Sequence, residues 1–411
     1  MSELNNLITQ LCSDGVLYKP IWAITTWDKK FNGVDKKKQP AINKHHYYLA
    51  KELEPLIVPN GDIKVLTTSP SDLYTTTELV KDNIKDGEII AIPGGGNAIV
   101  QYYNGKYITS DNRIAIVNDT KQLKCKFLYY VLKNREKELA KYYRGAGIKH
   151  PNMFKVLHME IPLPPLPVQE EVVRILDSFT TLEAELEAEL EAELTDRKKQ
   201  YEYYRDYLLD KNTLEKIDGT AVETKKLGEV AEIKRGHRVV KKELSKDSNS
   251  GYPVYQNSLK PLGYHTYSNE QAGTPFVIAA GSAGEIGYSD VDYWGADDCY
   301  SIECDNNTVN GRYIYHALLF KQYLIKSQVR RASIPRLSST VIKHLELPIP
   351  SLATQERVVD ILDRFDALTT SLTDGIPAEI AMRREQYEYY RSRLLDFPRL
   401  PDNTASVSDS E

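Results

Sequence analysis

Cysteine is scarce in this chain: four in 411 residues, at positions 12, 125, 299 and 304. So few thiols, without CxxC spacing or histidines beside them, exclude a disulfide framework and a Cys/His metal site. Reduced, partly buried thiols are expected instead. Phenylalanine and tryptophan are also thin, 8 and 3 against 28 tyrosines, so most of the aromatic surface carries a hydroxyl suited to half-wet interfaces. No stretch approaches the ~18–20 uninterrupted apolar residues of a membrane span. The opening MSELNNLITQLCSDG has neither the basic start nor the apolar run of an export signal, so a cytoplasmic protein with no membrane partner is expected. Catalytic signatures are missing too. PGGGNAIV lacks the Lys-Ser/Thr of a phosphate-binding P-loop, and there is no Asn/Asp-Pro-Pro-aromatic segment, no dinucleotide fingerprint and no HExxH. The pair His45-His46 stands alone in a loop-like stretch. No catalytic residue, no metal and no cofactor bound by this chain are expected.

What is present is bulk and repetition. At 41% apolar and 27% charged, the chain has the composition of a globular protein of two or three domains, not of a disordered or fibrous one. QYEYYRDYLLD at 200–210 returns as QYEYYRSRLLD at 386–396, and VQEEVVRILDSF at 168–179 returns as TQERVVDILDRF at 354–365, both at an offset of 186. Over 161–210 against 347–396, without a gap, 25 of 50 positions are identical. The offset continues weakly upstream: FLYYVLKNREKELAKYYRGAGI (127–148) lies opposite YIYHALLFKQYLIKSQVRRASI (313–334), and Asp111-Asn112 opposite Asp297-Asp298. Such a period is far longer than that of a solenoid, so the chain is a duplicated pair, each half a divergent block followed by a closely similar one.

The similar blocks read as long amphipathic helices entered through proline-rich segments. The first carries an apolar seam at Val172, Leu176, Phe179, Leu182, Leu186, Leu190, Leu194, Tyr201, Tyr204 and Leu208, with the spacings of a coiled-coil stripe. The second carries Val358, Leu362, Phe365, Leu368, Leu372, Ile376 and Ile380, then Tyr387, Tyr390 and Leu394. Gly375 and Pro377 predict a break there, with Pro377 in the first turn of a restarted helix. Residues 4–11 predict a short helix added to the second rod. The divergent blocks hold short strand-like runs (EIIAIP, KYIT, RIAIV, PFVIAA, CYSIEC) and one helix near each end, 127–143 and 311–328.

The net charge of −5, taken whole, argues against a protein that coats nucleic acid. By segment it does not. Residues 1–160 carry +6 and 222–346 carry +2, whereas 161–221 carry −8 and 347–411 carry −5. Two basic blocks on two acidic rods suggest nucleic-acid-facing domains on a frame that keeps away from phosphate.

PLPPLPVQEEVVRILD followed by RKKQYEYYRDYLLD, recurring as PIPSLATQERVVDILD followed by RREQYEYYRSRLLD, resembles the repeated helical regions of the DNA-specificity subunit of type I restriction–modification enzymes. The resemblance covers the whole chain in organisation. It implies an α+β fold in which two α/β target-recognition domains are separated by two long antiparallel helical, coiled-coil spacers, in a chain duplicated with pseudo-two-fold symmetry. In this chain the parts would be 1–160, a first target-recognition domain; 161–221, the central spacer; 222–346, the second domain; 347–398, the carboxyl-terminal spacer; and 399–411, a disordered tail. The resemblance implies a non-catalytic subunit that reads a bipartite, asymmetric target in double-stranded DNA. Its partners would be two methyltransferase subunits docked on the helices and restriction/translocase subunits, with S-adenosylmethionine, ATP and Mg held by those partners. LEAELEAELEAE at 182–193 is similar to four-residue repeats whose number is implied to set the gap between half-sites.

A DNA reader needs Arg or Lys for phosphates and a few side chains that reach base edges. In the second domain the candidates are Arg235, Gly236, His237, Arg238, Lys241 and Lys242, the Gly-rich loop with Gly281, Ser282 and Gly284, and Arg330, Arg331 and Arg336. Their counterparts in the first are Gly94, Gly95, Gly96 and Asn97, with Arg144, Lys149 and His150; Lys36, Lys37 and Lys38 add a basic run. The bland readings are tight strand connections for the glycines and a solvated loop for the lysines. For the spacers and the partner interface the candidates are Leu176, Phe179, Leu186, Leu190, Tyr201, Tyr204, Leu362, Phe365, Tyr387 and Tyr390. The alternative function is a helical interaction scaffold without DNA specificity.

Overall fold

The computed structural model describes residues 2–401 except 306, 332 and 371–374. The chain divides into two units, Met1–Leu186 with Met382–Glu411, and Glu187–Ala381. No helix among the described residues is long and apolar enough to cross a membrane.

The first unit is built on a six-stranded sheet in the order Tyr74–Thr75, Ile63–Leu66, Gln101–Thr109, Lys85–Pro93, Asn112–Val117, Thr25–Trp27. Its pairs are antiparallel except Ile63–Leu66 with Gln101–Thr109. The period of two along Lys85–Pro93 decides its packing. Ile90 and Ile92 join Phe127 and Leu128 of a helix in one core, and Ile89 and Ala91 join Leu66, Tyr107 and Ile114 on the other side. The second unit has a four-stranded sheet, Ala231–Arg235, Cys299–Cys304, Phe276–Ile278, Ile286–Gly287, and a three-stranded one, Gly263–His265, Tyr252–Tyr255, Trp294–Gly295. Four of the five strand-like runs of the sequence lie in these strands, and PFVIAA is strand only over Phe276–Ile278.

Each expected single helix is two. Cys125–Asn134 and Glu136–Ala140 are interrupted at Arg135, and Gly311–Phe320 and Gln322–Ser327 at Lys321. The two interruptions stand at the same repeat position. Both residues leave the helical region (φ −103°, ψ 18°; φ −93°, ψ 6°), and Arg135 donates to the Glu160 carbonyl at 2.8 Å. An apolar period of 3.6 cannot reveal a one-residue bend that keeps the same face inward.

In both units, entry and exit strands lie side by side: Leu17–Pro20 pairs with Glu160–Leu163, and Glu223–Lys226 with Glu346–Ile349, antiparallel. The spacer helices follow, Leu166–Leu208 and Leu352–Thr370, and a further helix, Ile376–Leu394, has Pro377 in its first turn. Leu372 lies outside the described residues. Leu176, Leu190 and Leu362 are buried. In the first unit the Phe179 and Tyr390 rings are 6.1 Å apart, and the Thr180 and Tyr387 hydroxyls 2.7 Å apart. Leu186 lines a small cavity with Arg383 and Gln386. Numbers rise along one helix as they fall along the other, so the two run antiparallel there. In the second unit Tyr204 stacks on Phe365, centroids 5.2 Å apart, and the Tyr201 hydroxyl lies 3.1 Å from His316 Nδ1.

Ser2–Leu11 is helical, and its Leu4 shares a core with Leu394, Leu395 and Phe397. Arg399 and Leu400, the head of the stretch expected to be disordered, are instead held in place. The Leu400 amide donates to the Val16 carbonyl at 3.0 Å, and Arg399 pairs with Glu160. Residues 402–411 lie outside the described residues.

Two repeated joints fasten each sheet domain to its helix. The first is a glutamine with no exposed surface, Gln169 in one half and Gln355 in the other. Gln169 Nε2 donates to the Gln122 and Pro164 carbonyls at 2.8 and 2.7 Å, and its Oε1 accepts from the Lys124 amide at 2.9 Å. Gln355 repeats this with the Thr308 and Pro350 carbonyls and the Asn310 amide, at 3.2, 2.9 and 2.8 Å. The second joint is an aspartate. Asp177 accepts from Lys126 and Tyr130 at 2.8 and 2.6 Å. Asp363 accepts from Arg312 and His316, both at 2.7 Å.

Candidate nucleic-acid interface

In the second unit the Gly-rich loop and the arginine segment, separate in sequence, are brought together. The Gly281 amide donates to the Pro335 carbonyl at 3.2 Å, and the Leu337 amide to the Ala279 carbonyl at 2.8 Å. Arg330 and Arg336 exchange both main-chain bonds, 2.9 and 3.1 Å, so they stand directly opposite each other with exposed side chains. Like charges opposite one another across an antiparallel pair are destabilising. An anion held between them would relieve that cost.

Arg235 reaches the same neighbourhood. Its Nε donates to the Asp297 carbonyl at 2.8 Å, while the adjacent Asp298 carbonyl accepts from the Ala279 amide at 2.7 Å. His237 and Arg238 follow, both exposed; Trp294 Nε1 donates to the His237 carbonyl at 2.9 Å. Lys241 and Lys242 are exposed on a short 3₁₀ turn, Lys241–Glu243, and Arg331 is exposed at the hairpin. Nearby, burial pushes the Glu270 carboxyl up, against the hydrogen bond from Ser301 at 2.8 Å.

The glycines divide by role. Gly281 and Ser282 are half-buried at the surface of the loop; Gly281 has φ +83°, and a Cβ there would stand 2.8 Å from the Asn257 carbonyl oxygen. Gly284 is buried, at φ +85°, with Lys326 and Val329 over it, so packing requires its lack of a side chain. Gly236 is pressed against backbone: an added Cβ would lie 2.2 Å from the Gly295 oxygen and 2.3 Å from that of Ala296. Gly236→Ala must therefore push the strand end away from residues 295–296. It is expected to cost the second unit about 2 kcal/mol or more, the range of forced overpacking, seen as a lower midpoint of its thermal transition.

The first unit assembles the same pair of segments. The Gly96 amide donates to the Lys149 carbonyl at 2.8 Å, His150 Nδ1 lies 2.7 Å from the Gly94 carbonyl, and Arg144 pairs with His150 across a two-residue-per-strand hairpin. Gly95 is half-buried, and Asn97, Arg144, Lys149 and His150 are exposed. The Gly94 amide donates to the Asp111 carbonyl at 2.7 Å, the residue opposite Asp297 in the repeat. Behind the loop Asp111 holds Arg113 at 2.9 Å, and buried Asp28 accepts from the Ile114 amide at 2.9 Å and from Tyr47. Burial pushes the Asp28 carboxyl up, against those bonds and the Arg113 charge.

Lys36–Lys38 form a 3₁₀ turn capped by Asp35, away from the contacts of this patch. Lys38 Nζ is 2.9 Å from His158 Nε2 and 5.2 Å from the Trp22 ring centre. Sequence reasoning missed Ile148 and Ile334, at matching positions on the two hairpins, and the Gln and Asp joints. The signal for the joints was available: identical polar residues 186 apart, inside an otherwise apolar seam.

Among the described residues no three His, Cys, Asp or Glu side chains are grouped to hold a metal ion. The four cysteines are unpaired, three of them buried.

The chain matches the family model described as type I restriction modification DNA specificity domain twice, over residues 35–196 and 220–382. It is 32% identical over 344 residues to a putative type I restriction enzyme specificity subunit of Haemophilus influenzae, covering 78% of this chain and 86% of that protein. It is also 32% identical to the EcoR124I/EcoR124II specificity subunit of Escherichia coli over 311 residues, 69% of this chain and 73% of that one. In fold it is similar to the crystal structure of a type I restriction–modification S subunit from M. genitalium, with TM-score 0.52 and 19% identity over 92% of this chain and 96% of that one.

Proposed function

The chain belongs to the type I restriction–modification DNA-specificity family, and from that premise we propose that its two units read the two separated halves of one DNA target. One observation carries the reading furthest. Two units of divergent sequence assemble the same device, a Gly-rich loop hydrogen-bonded to a cationic hairpin, at Gly94–Asn97 with Arg144–His150 and at Gly281–Ser282 with Arg330–Arg336. In each device the loop lets backbone approach phosphate closely, while Arg144, Lys149 and His150, or Arg330, Arg331 and Arg336, supply charge and donors. Arg235, His237, Arg238, Lys241 and Lys242 extend the second surface, and the loop side chain of Asn97 the first.

Because the hairpins differ in sequence, the half-sites differ, and the target is not a palindrome. The chain itself is a non-catalytic specificity subunit. Methyltransferase subunits, two of them, dock on the helical frame, where Tyr203 and Tyr207 are largely exposed; motor-nuclease subunits complete the assembly. S-adenosylmethionine, ATP and Mg belong to those partners.

The test is to map methylated adenines genome-wide in a host expressing this chain with its methyltransferase partner, beside an Arg330→Ala/Arg336→Ala double variant. A split, asymmetric target is expected, with discrimination relaxed in one half-site only in the variant. A continuous or palindromic target, or equal loss in both halves, would overturn the reading.

A further inference from the structure

Between the cations of each hairpin stands one exposed isoleucine. Ile148 is 71% exposed and Ile334 52% exposed, and they occupy the same position of the repeat, 186 apart. Ile148 follows Gly145, Ala146 and Gly147, and sits over Gly95, where an added Cβ would meet its Cγ2 at 3.0 Å; Ile334 lies between Arg331 and Arg336. A lone apolar side chain on a surface needs no explanation. The same residue twice, exposed in the loop of the same cationic hairpin, where residues 144–150 and 330–336 share only an arginine, an alanine and this isoleucine, does.

A two-stranded ribbon fits the major groove of B-form DNA. Flanking cations bring it to the phosphates, and its foremost side chain then meets base edges. The only apolar group displayed there is the 5-methyl of thymine. We propose that Ile148 and Ile334 are specificity-determining residues, each packing on the methyl group of one thymine in the half-site its unit reads. This rests on the DNA-reading function proposed above and adds to it the group recognised.

The experiment uses the chain assembled with its methyltransferase partners and duplexes carrying the mapped target, in which each half-site thymine is replaced in turn by deoxyuridine. For the unaltered chain, one replacement in each half-site should weaken binding about fourfold, the worth of burying one methyl. Ile148→Ser should bind the natural duplex about as weakly and become indifferent to that replacement in one half-site only. Ile334→Ser should do the same in the other, and Ile→Val at either position should keep the discrimination. Both serine variants retain folding in this design because the side chains are exposed.

Thymine-methyl dependence that survives both serine variants, or half-sites indifferent to every replacement, overturns the proposal. So does bright 2-aminopurine fluorescence beside the contacted step, which would make the isoleucines wedges between unstacked bases. If the unaltered assembly does not separate target from random duplex at all, it is the reading function itself that has failed, and the two failures are thereby told apart.

Discussion

Deleting Leu182–Glu185 from the long helix should move methylation to targets whose half-sites lie closer together and abolish it at the original ones. The reason lies in the helix, which runs unbroken from Leu166 to Leu208. Four residues account for ~6 Å of length and ~400° of turn. A four-residue deletion therefore returns the apolar stripe to within about 40° of its own face, whereas a two-residue deletion, at about 200°, would turn it outward. The shortened chain should fold, and the three Leu-Glu-Ala-Glu units differ in nothing but position. On the proposed reading of a split target, binding at the old spacing should then engage one half-site at a time. Loss of simultaneous engagement is worth about 10²–10⁴ in affinity. Methylome sequencing of cells carrying the deletion decides the matter. A changed gap with unchanged half-site bases supports the ruler; changed bases at an unchanged gap would sink it.

The second large effect concerns stability. Asp363→Ala should lower the thermal midpoint of the second unit by about 4–8 °C, or ~2 kcal/mol, and Asp177→Ala that of the first by clearly less. The difference comes from what each aspartate leaves behind. Removing Asp363 leaves His316 Nε2, on a side chain with no exposed surface, without its partner, and leaves Arg312, 19% exposed, with Asp366. Removing Asp177 strands Lys126, 34% exposed, which can turn to water, and the Tyr130 hydroxyl. Asp363 is itself 37% exposed, so solvent screening keeps the figure below that of a fully buried pair. Burial pushes its carboxyl up, but hydrogen bonds from His316 and Arg312 outweigh burial and hold it below the usual range. A carboxylate with a lowered folded-state pKa stabilises above its unfolded value, near pH 4, and loses that contribution as pH falls further. Calorimetric scans from pH 7 to pH 3 should therefore show the unaltered and Asp363→Ala chains converging at the acid end. A constant gap between them would exclude the ion-pair account.

Much of this architecture was legible because duplication makes a sequence its own comparison. The 186-residue offset located the helices, the seam at Leu176, Phe179, Tyr201 and Tyr204, and the break before Pro377. The candidate patches were legible as pieces: the Gly-rich loops and the basic segments each drew notice. Their assembly was not, because a main-chain bond from Gly96 to Lys149, or from Gly281 to Pro335, leaves no mark on side-chain pattern. Gly284 illustrates the opposite error. A glycine suggests close approach of a ligand, yet here it lies buried beneath Lys326. The bends at Arg135 and Lys321 were hidden because they leave the apolar face intact.

The glutamine joint has a consequence for how such chains diversify. Gln169 and Gln355 grip the sheet domains only by peptide groups, one carbonyl and one amide each: Gln122 and Lys124 in one half, Thr308 and Asn310 in the other. Every amino acid offers that carbonyl, and every one but proline offers that amide. The socket is thus blind to the side chains of whatever is plugged into it. A foreign block that presents its backbone in the same turn would be held by this joint as well as the resident one, which leaves the aspartate beside it, with its Lys126 and Tyr130 or Arg312 and His316, to tell the two apart.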